Sequence, residues 1–325
     1  MVLQYRLETV CTGHQKLVND IVFDPTGSMM ASSGDDHHVI IWDCHTGEPS
    51  QEVLIDHHGP VTSLLWVTNN YATARGGDSL LFIGCADGLI HGYNYDNPTG
   101  LLRHIETIHD QPHEIQSLEY DPHKNWVAFS VGKLCRVYNL QADCSSPQFQ
   151  VHDKNAVACS VHFLNMGEML LVLFMETHEV IKLIVGTGDL QRVDHLINRI
   201  GTSATSSDGM LLLVGNLKSG VELYDMDTMA CIATFEQPIC GNVPKQVRFI
   251  HGGRLMIGGS DHGLVHIWNR EDKLFVGHPL ILFLNPNCDS SAKHLVQTIR
   301  IAFLPVVLIR FFIWPPKKNS KCSMQ

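Results

Sequence analysis

Short apolar runs, broken by polar turns that carry glycine, recur along most of the chain. In the first stretch Val18, Ile21 and Phe23 run into a Pro25-Thr26-Gly27 turn. Met29–Ser32 and Val39–Trp42 follow, on either side of the polar turn Gly34-Asp35-Asp36-His37. The plan returns at Met210–Val214 and Val221–Tyr224 around the turn at Asn216–Gly220. It returns again at Leu255–Ile257 and Leu264–Trp268 around Gly258–Gly263. Runs of this length with these breakers predict antiparallel strands joined by hairpins. No helical period interrupts them before residue 286.

Two anchors repeat in step. One is an aromatic or apolar residue just before a turn, as at Phe23, Tyr120, Phe163 and Phe249. The other is a strand end: Trp42-Asp43, Tyr93-Asn94, Tyr138-Asn139, Leu183-Ile184, Tyr224-Asp225 and Trp268-Asn269, with a period near 44 residues. About four strands fit each unit. A lone sheet of that size leaves both faces bare, so the units must stack on one another.

Gly13-His14, the turn Phe23-Asp24-Pro25-Thr26-Gly27, Asp36 six residues before Trp42, and Trp42-Asp43 together resemble a WD repeat of the β-propeller family. The resemblance implies an all-β propeller of about seven four-stranded blades, with an N-terminal strand closing the ring. It also implies that His14, Ser32, Asp36 and Trp42 form a buried hydrogen-bonded set. Later copies keep only parts. The second has His57-His58 and Asp87, with Ile83 in the serine position. The third has Gly132 where the aspartate belongs. The fourth has His152 but no Trp-Asp end. The fifth has Lys218 at the turn, and the sixth has Asp261 beside His262.

The propeller is therefore expected over residues 1–285, with blades ending near 43, 94, 139, 184, 225 and 269 and a closing strand within 1–10. Residues 286–325 are expected as an irregular basic and apolar tail or an incomplete seventh blade. Only nine residues separate Pro305 from Trp314, against seventeen from Pro25 to Trp42, so two strands and a turn do not fit.

Charge sharpens this division. The 325 residues carry a net charge of −10, but residues 286–325 hold six basic residues against Asp289 alone, which leaves −15 on the rest. An acidic body disfavours a nucleic-acid partner and favours basic peptides or basic protein patches. The apolar run 299–314 has three readings: distorted seventh-blade strands, a membrane anchor, or an ill-fitting tail. As an anchor it is short, and it contains Arg300, Pro305 and Arg310. The N-terminus has no apolar stretch of the secretory type.

The chemistry-bearing residues lack the spacing that reactions need. Ten cysteines include no Cys-x-x-Cys pair and are expected as reduced, packed thiols. Twenty histidines come without metal-ligand spacing, so no metal and no cofactor is expected. Phosphate-loop and serine-elbow patterns are absent, which disfavours an enzyme. The expected function is a non-catalytic scaffold of the cytoplasm or nucleus that binds proteins through its loops. Asp35, His37, Asp87 and Asp261 are the candidate rim residues. The alternatives are a propeller tethered to a membrane through 299–314 and a propeller hydrolase. Neither Trp42-Asp43-Cys44-His45 nor Trp268-Asn269-Arg270-Glu271 matches the Trp-Asp-x-Arg end found in propeller receptors of ubiquitin ligases.

Overall fold

A computed structural model describes residues 11–67, 79–96, 101–109, 112–140, 149–152, 156–237, 244–260, 265–271, 275–277 and 313–314. Among them every regular element is a strand. Strand β1 (Cys11–Thr12) precedes six four-stranded sheets. The first sheet holds β2 (Val18–Phe23), β3 (Met29–Gly34), β4 (His38–Asp43) and β5 (Pro49–Leu54). The second holds β6 (Val61–Val67), β7 (Ser79–Cys85), β8 (Leu89–Asp96) and β9 (Leu101–His109). The third holds β10 (Ile115–Asp121), β11 (Trp126–Val131), β12 (Leu134–Asn139) and β13 (Phe149–His152). The fourth holds β14 (Ala158–Leu164), β15 (Met169–Phe174), β16 (Glu179–Ile184) and β17 (Leu190–His195). The fifth holds β18 (Ile200–Thr205), β19 (Leu211–Asn216), β20 (Gly220–Asp225) and β21 (Cys231–Glu236). The sixth holds β22 (Val247–Ile250), β23 (Leu255–Gly259), β24 (Val265–Asn269) and β25 (Phe275–Gly277).

Each sheet is an antiparallel meander, and together they are the blades of a β-propeller. The first strands stand side by side. Asp20 on β2 accepts a bond from the Leu64 amide on β6 (2.8 Å), and Thr62 on β6 donates to the Ile115 carbonyl on β10 (2.8 Å). These links tie the first strands of successive blades together. Five of the first strands also share a bulge at the same level, at Asn19, Thr62, Gln116, Cys159 and Gly201. A bulge adds one unpaired residue and increases the local twist.

Apolar residues fill the spaces between blades. Ala31, Val39 and Ile41 of the first blade pack with Leu64, Leu81 and Ile83 of the second. Leu171 and Leu173 of the fourth pack with Leu212, Val214 and Tyr224 of the fifth. Burying one such large side chain contributes roughly 1.5–3 kcal/mol. The meander also fixes two faces. Turns joining first to second and third to fourth strands lie at one end, the lower face. Turns joining second to third strands, and the connections between blades, lie at the upper face.

The Trp-Asp-type ends near 43, 94, 139, 184, 225 and 269 fall at or within two residues of the ends of the third strands, and every sheet takes one further strand beyond them. The described residues form six blades, not seven. Most of the segment expected to supply the seventh lies outside the described residues. Its one described part is β26 (Ile313–Trp314), which pairs in parallel with β1, Cys11 opposite Ile313 and Thr12 opposite Trp314. The closing strand expected within 1–10, and the remainder of 299–314, also lie outside. Among the described residues no helix is long and apolar enough to cross a membrane.

Candidate functional site

The first blade gathers a polar set inside an apolar shell. His14 leads into β2, Ser32 lies on β3, Trp42 on β4, and Asp36 in the turn between β3 and β4. His14 Nδ1 lies 2.9 Å from Asp36 Oδ1, and His14 Nε2 lies 2.8 Å from Ser32 Oγ. Trp42 Nε1 donates to the same Ser32 oxygen at 2.8 Å. His14 and Ser32 are fully buried. His14 thus bridges the aspartate and the serine, and the Ser32 hydroxyl joins both ring systems.

Asp36 is the hub. Burial pushes its carboxyl up, but the His14 hydrogen bond and charge, with the Gln15 and His38 amides, hold it at about 2. Gly34 makes room for this turn: a Cβ there would stand 2.4 Å from the Leu17 carbonyl and 3.1 Å from Asp36.

Elsewhere the set is dismantled or rebuilt. In the second blade His58 Nδ1 keeps its aspartate, Asp87, at 3.0 Å, with buried Ile83 in the serine position. Trp66 Nε1 instead reaches Ser79 at 2.7 Å. In the third blade a Cβ on Gly132 would lie 2.9 Å from the His113 ring, so ring-on-backbone packing stands where an aspartate would be. In the fifth blade Lys218 has no aspartate role. Asn216 Oδ1 accepts from the Lys218, Ser219 and Gly220 amides and holds the turn. Below it, buried Glu222 accepts from Asn198 Nδ2 (2.5 Å) and from the Tyr224 hydroxyl (2.8 Å). Burial, then Glu222, pushes the Tyr224 phenol up. No sequence motif marks this second set. Its only signal is an acid at an otherwise apolar strand position. The side chain of His152, and residues Asp261 and His262, lie outside what is described.

Of the candidate rim residues, Asp35 and His37 lie in the upper-face turn of the first blade and Asp87 in that of the second. Asp35 accepts from Asn19 Nδ2 at 2.8 Å, and the same amide reaches the Val61 carbonyl of the next blade. His37 takes a left-handed backbone (φ 66°) in the adjacent turn. Asp87 also accepts from the Leu89 amide. Glu114 joins this acidic side: crowding of its carboxyl, and then the charge of Asp35, raise it above the usual range. Asp56 is exposed in the same region.

One acid–histidine–hydroxyl line crosses blades. His162 Nε2 on β14 lies 2.8 Å from Ser203 Oγ on β18, and its Nδ1 lies 3.9 Å from Glu119 on β10. Ser203 is 3% exposed and His162 is 5% exposed. The hydroxyl therefore points between the fourth and fifth blades, away from solvent. Among the described residues no group of three or more His, Cys, Asp or Glu is placed to hold a metal ion.

Comparison with known proteins places this architecture. The model of the family described as WD domain, G-beta repeat matches residues 5–43. The ribosome biogenesis protein ERB1 of Chaetomium globosum is 31% identical over 80 residues, 23% of this chain and 10% of that protein. WD and tetratricopeptide repeats protein 1 of Homo sapiens is 29% identical over 142 residues, 42% of this chain and 19% of that protein. Nuclear distribution protein nudF of Aspergillus flavus is 28% identical over 123 residues, 38% of this chain and 24% of that protein. The chain thus spans a quarter or less of the length of these relatives.

Proposed function

Because this chain belongs to the WD-repeat family, we propose that it acts as a non-catalytic scaffold that holds partner proteins on its loop faces. The observation that carries this reading is the division of labour in the blades. Buried polar sets and apolar seams lock the strands, while the turns carry exposed charge. A rigid frame with variable loops favours recognition, because the loops need little ordering on binding.

Charge selects the partner. On the upper face the first three blades present Asp35, Asp56, Asp87 and Glu114 against Lys16 and Lys133, whereas the fourth to sixth present Arg199, Lys218 and Lys245 against Glu176. A partner with a basic patch is steered to the acidic half. Asp35, Asp87 and Asp261 are the residues proposed to meet it, with His37 beside Asp35. The free cysteines are at home in the reducing cytoplasm or nucleus.

The test is affinity purification with the full chain and mass spectrometry, repeated with Asp35→Ala, Asp87→Ala and Asp261→Ala. At least one reproducible partner should be lost with these variants. A partner set identical across all of them would remove the rim from the proposal.

A further inference from the structure

Six of the seven large apolar side chains that stand exposed among the described residues belong to the fourth and fifth blades or the connection between them. Four lie at the lower end of the two blades. Met166 (70% exposed) is in the β14–β15 turn and Met210 (54%) closes the β18–β19 turn. Leu190 (58%) and Ile232 (42%) open the outer strands β17 and β21. Scattered single exposures are ordinary. Four at one end of two neighbouring blades mark a contact surface.

The same turns are acidic. The segments 165–168, 185–189, 206–210 and 226–230 contain Glu168, Asp189, Asp208 and Asp227, all exposed, and no lysine or arginine. Asp208 is held below the usual carboxylate range by bonds from Ser206 and the Met210 amide, and by the charge of Arg270, which borders the surface on the side of the sixth blade. Arg192 of the fourth blade is already engaged: Nε pairs with Asp194, and its guanidinium also donates to the Asp227 and Thr228 carbonyls of the fifth blade. That bridge ties the two blades into one platform. A Cβ at Gly186 or Gly209 would meet nothing within 4 Å, whereas one at Gly167, beside Met166, would meet Asp121 and Lys124 of the third blade, which bound the surface on that side.

We infer that the lower face of the fourth and fifth blades docks a basic amphipathic segment of a partner protein. Its apolar side chains would seat on Met166, Met210, Leu190 and Ile232, and its lysines or arginines on the surrounding carboxylates. Methionine suits this task, because its flexible thioether adapts to differently shaped apolar groups. The acids set the sign: they repel anionic surfaces and attract a cationic helix face. This surface lies at the opposite end of the strands from Asp35 and Asp87, so it stands or falls separately from the rim.

A labelled peptide of about 14 residues, roughly 21 Å long as a helix, tests this, with leucines at helical i, i+3, i+4, i+7 spacing and lysines elsewhere. Its binding to the full chain is read by fluorescence anisotropy. Binding should weaken about tenfold in Met166→Ser/Met210→Ser and in Asp189→Asn/Asp208→Asn. Ile197→Ser, on the upper face, should leave it unchanged. In the wild-type chain the methyl resonances of Met166 and Met210 should shift on titration while that of buried Met256 stays fixed, which needs no variant to fold. Equal binding of the glutamate version of the peptide, indifference to both double substitutions, or binding confined to anionic phospholipid vesicles would overturn the inference.

Discussion

His14 Nδ1 and Asp36 Oδ1 stand 2.9 Å apart with the histidine fully buried, and this contact joins the entry to the first blade to its β3–β4 turn. Removing either partner strands the other in an apolar shell. His14→Ala or Asp36→Ala should therefore lower stability by roughly 1–3 kcal/mol. Differential scanning fluorimetry should show a larger fall in Tm for either than for Lys218→Ala or His152→Ala. Equal shifts at all four positions would mean that the complete polar set makes the first blade no firmer than the third or fifth.

Asp36 also gives an acid signature. Its pKa falls from the ordinary 3.8 to about 2 on folding. A depressed carboxylate stabilises the fold fully above the unfolded value, and that contribution disappears as pH falls through the folded value. The window is therefore about pH 4 down to about pH 2, and the contribution at neutral pH is about 2 kcal/mol. Urea melts of wild type and Asp36→Asn should differ by about that much at pH 6 and converge near pH 2. A gap that stayed constant over this range would mean that Asp36 acts through packing alone.

The third strands are legible in the sequence because Val39–Trp42 is apolar, Val221–Tyr224 is apolar but for Glu222, and both end in an aromatic–acid step. The fourth strands are not. Pro49–Leu54, Leu190–His195 and Cys231–Glu236 lie on the outer edge, where alternate side chains face solvent and the apolar signal fades. The polar set of the first blade is legible for a related reason: its four residue types occur at the spacing of the family. Asn198, Glu222 and Tyr224 do the corresponding work in the fifth blade with other chemistry. Glu222 and Tyr224 share β20 two residues apart, and the loop before β18 brings Asn198 to them.

That substitute set makes its own prediction. Glu222 accepts from both Asn198 and Tyr224, so the two donors depend on one acid. Glu222→Ala should destabilise by roughly 1–3 kcal/mol, more than Tyr224→Phe. In the double variant the two losses should fall short of adding, by about 0.5 kcal/mol or more. Strict additivity in urea melts would show that the phenol and the carboxylate do not share a bond.

Thiol chemistry should separate the cysteines of the blades. Burial pushes Cys11, Cys85 and Cys159 up to about 12, with nearby acids adding to it, and burial alone raises Cys135 further. Cys231 is exposed at the start of β21. The thiolate is the reactive form, so iodoacetamide at pH 8 should label Cys231 long before these four. Peptide mapping of the native chain checks the order. Early labelling of Cys85 or Cys135 would mean that the blade seams open on the timescale of the reaction.

Ser203 offers the sharpest test of the non-catalytic reading. Its hydroxyl has a histidine at 2.8 Å and, behind that, an acid at 3.9 Å, which is the order of groups that activates a nucleophile. Activation alone is insufficient, because a nucleophile must also reach a substrate carbonyl. At 3% exposure Ser203 faces the seam between the fourth and fifth blades, and Arg248 of the sixth donates to its carbonyl. The line therefore works as a bond across three blades. A fluorophosphonate probe should leave Ser203 unlabelled in the native chain. His162→Ala should lower Tm more than Ser203→Ala, since it removes the contacts to both Glu119 and Ser203. Stoichiometric labelling of Ser203, lost in His162→Ala, would instead identify a hydrolase.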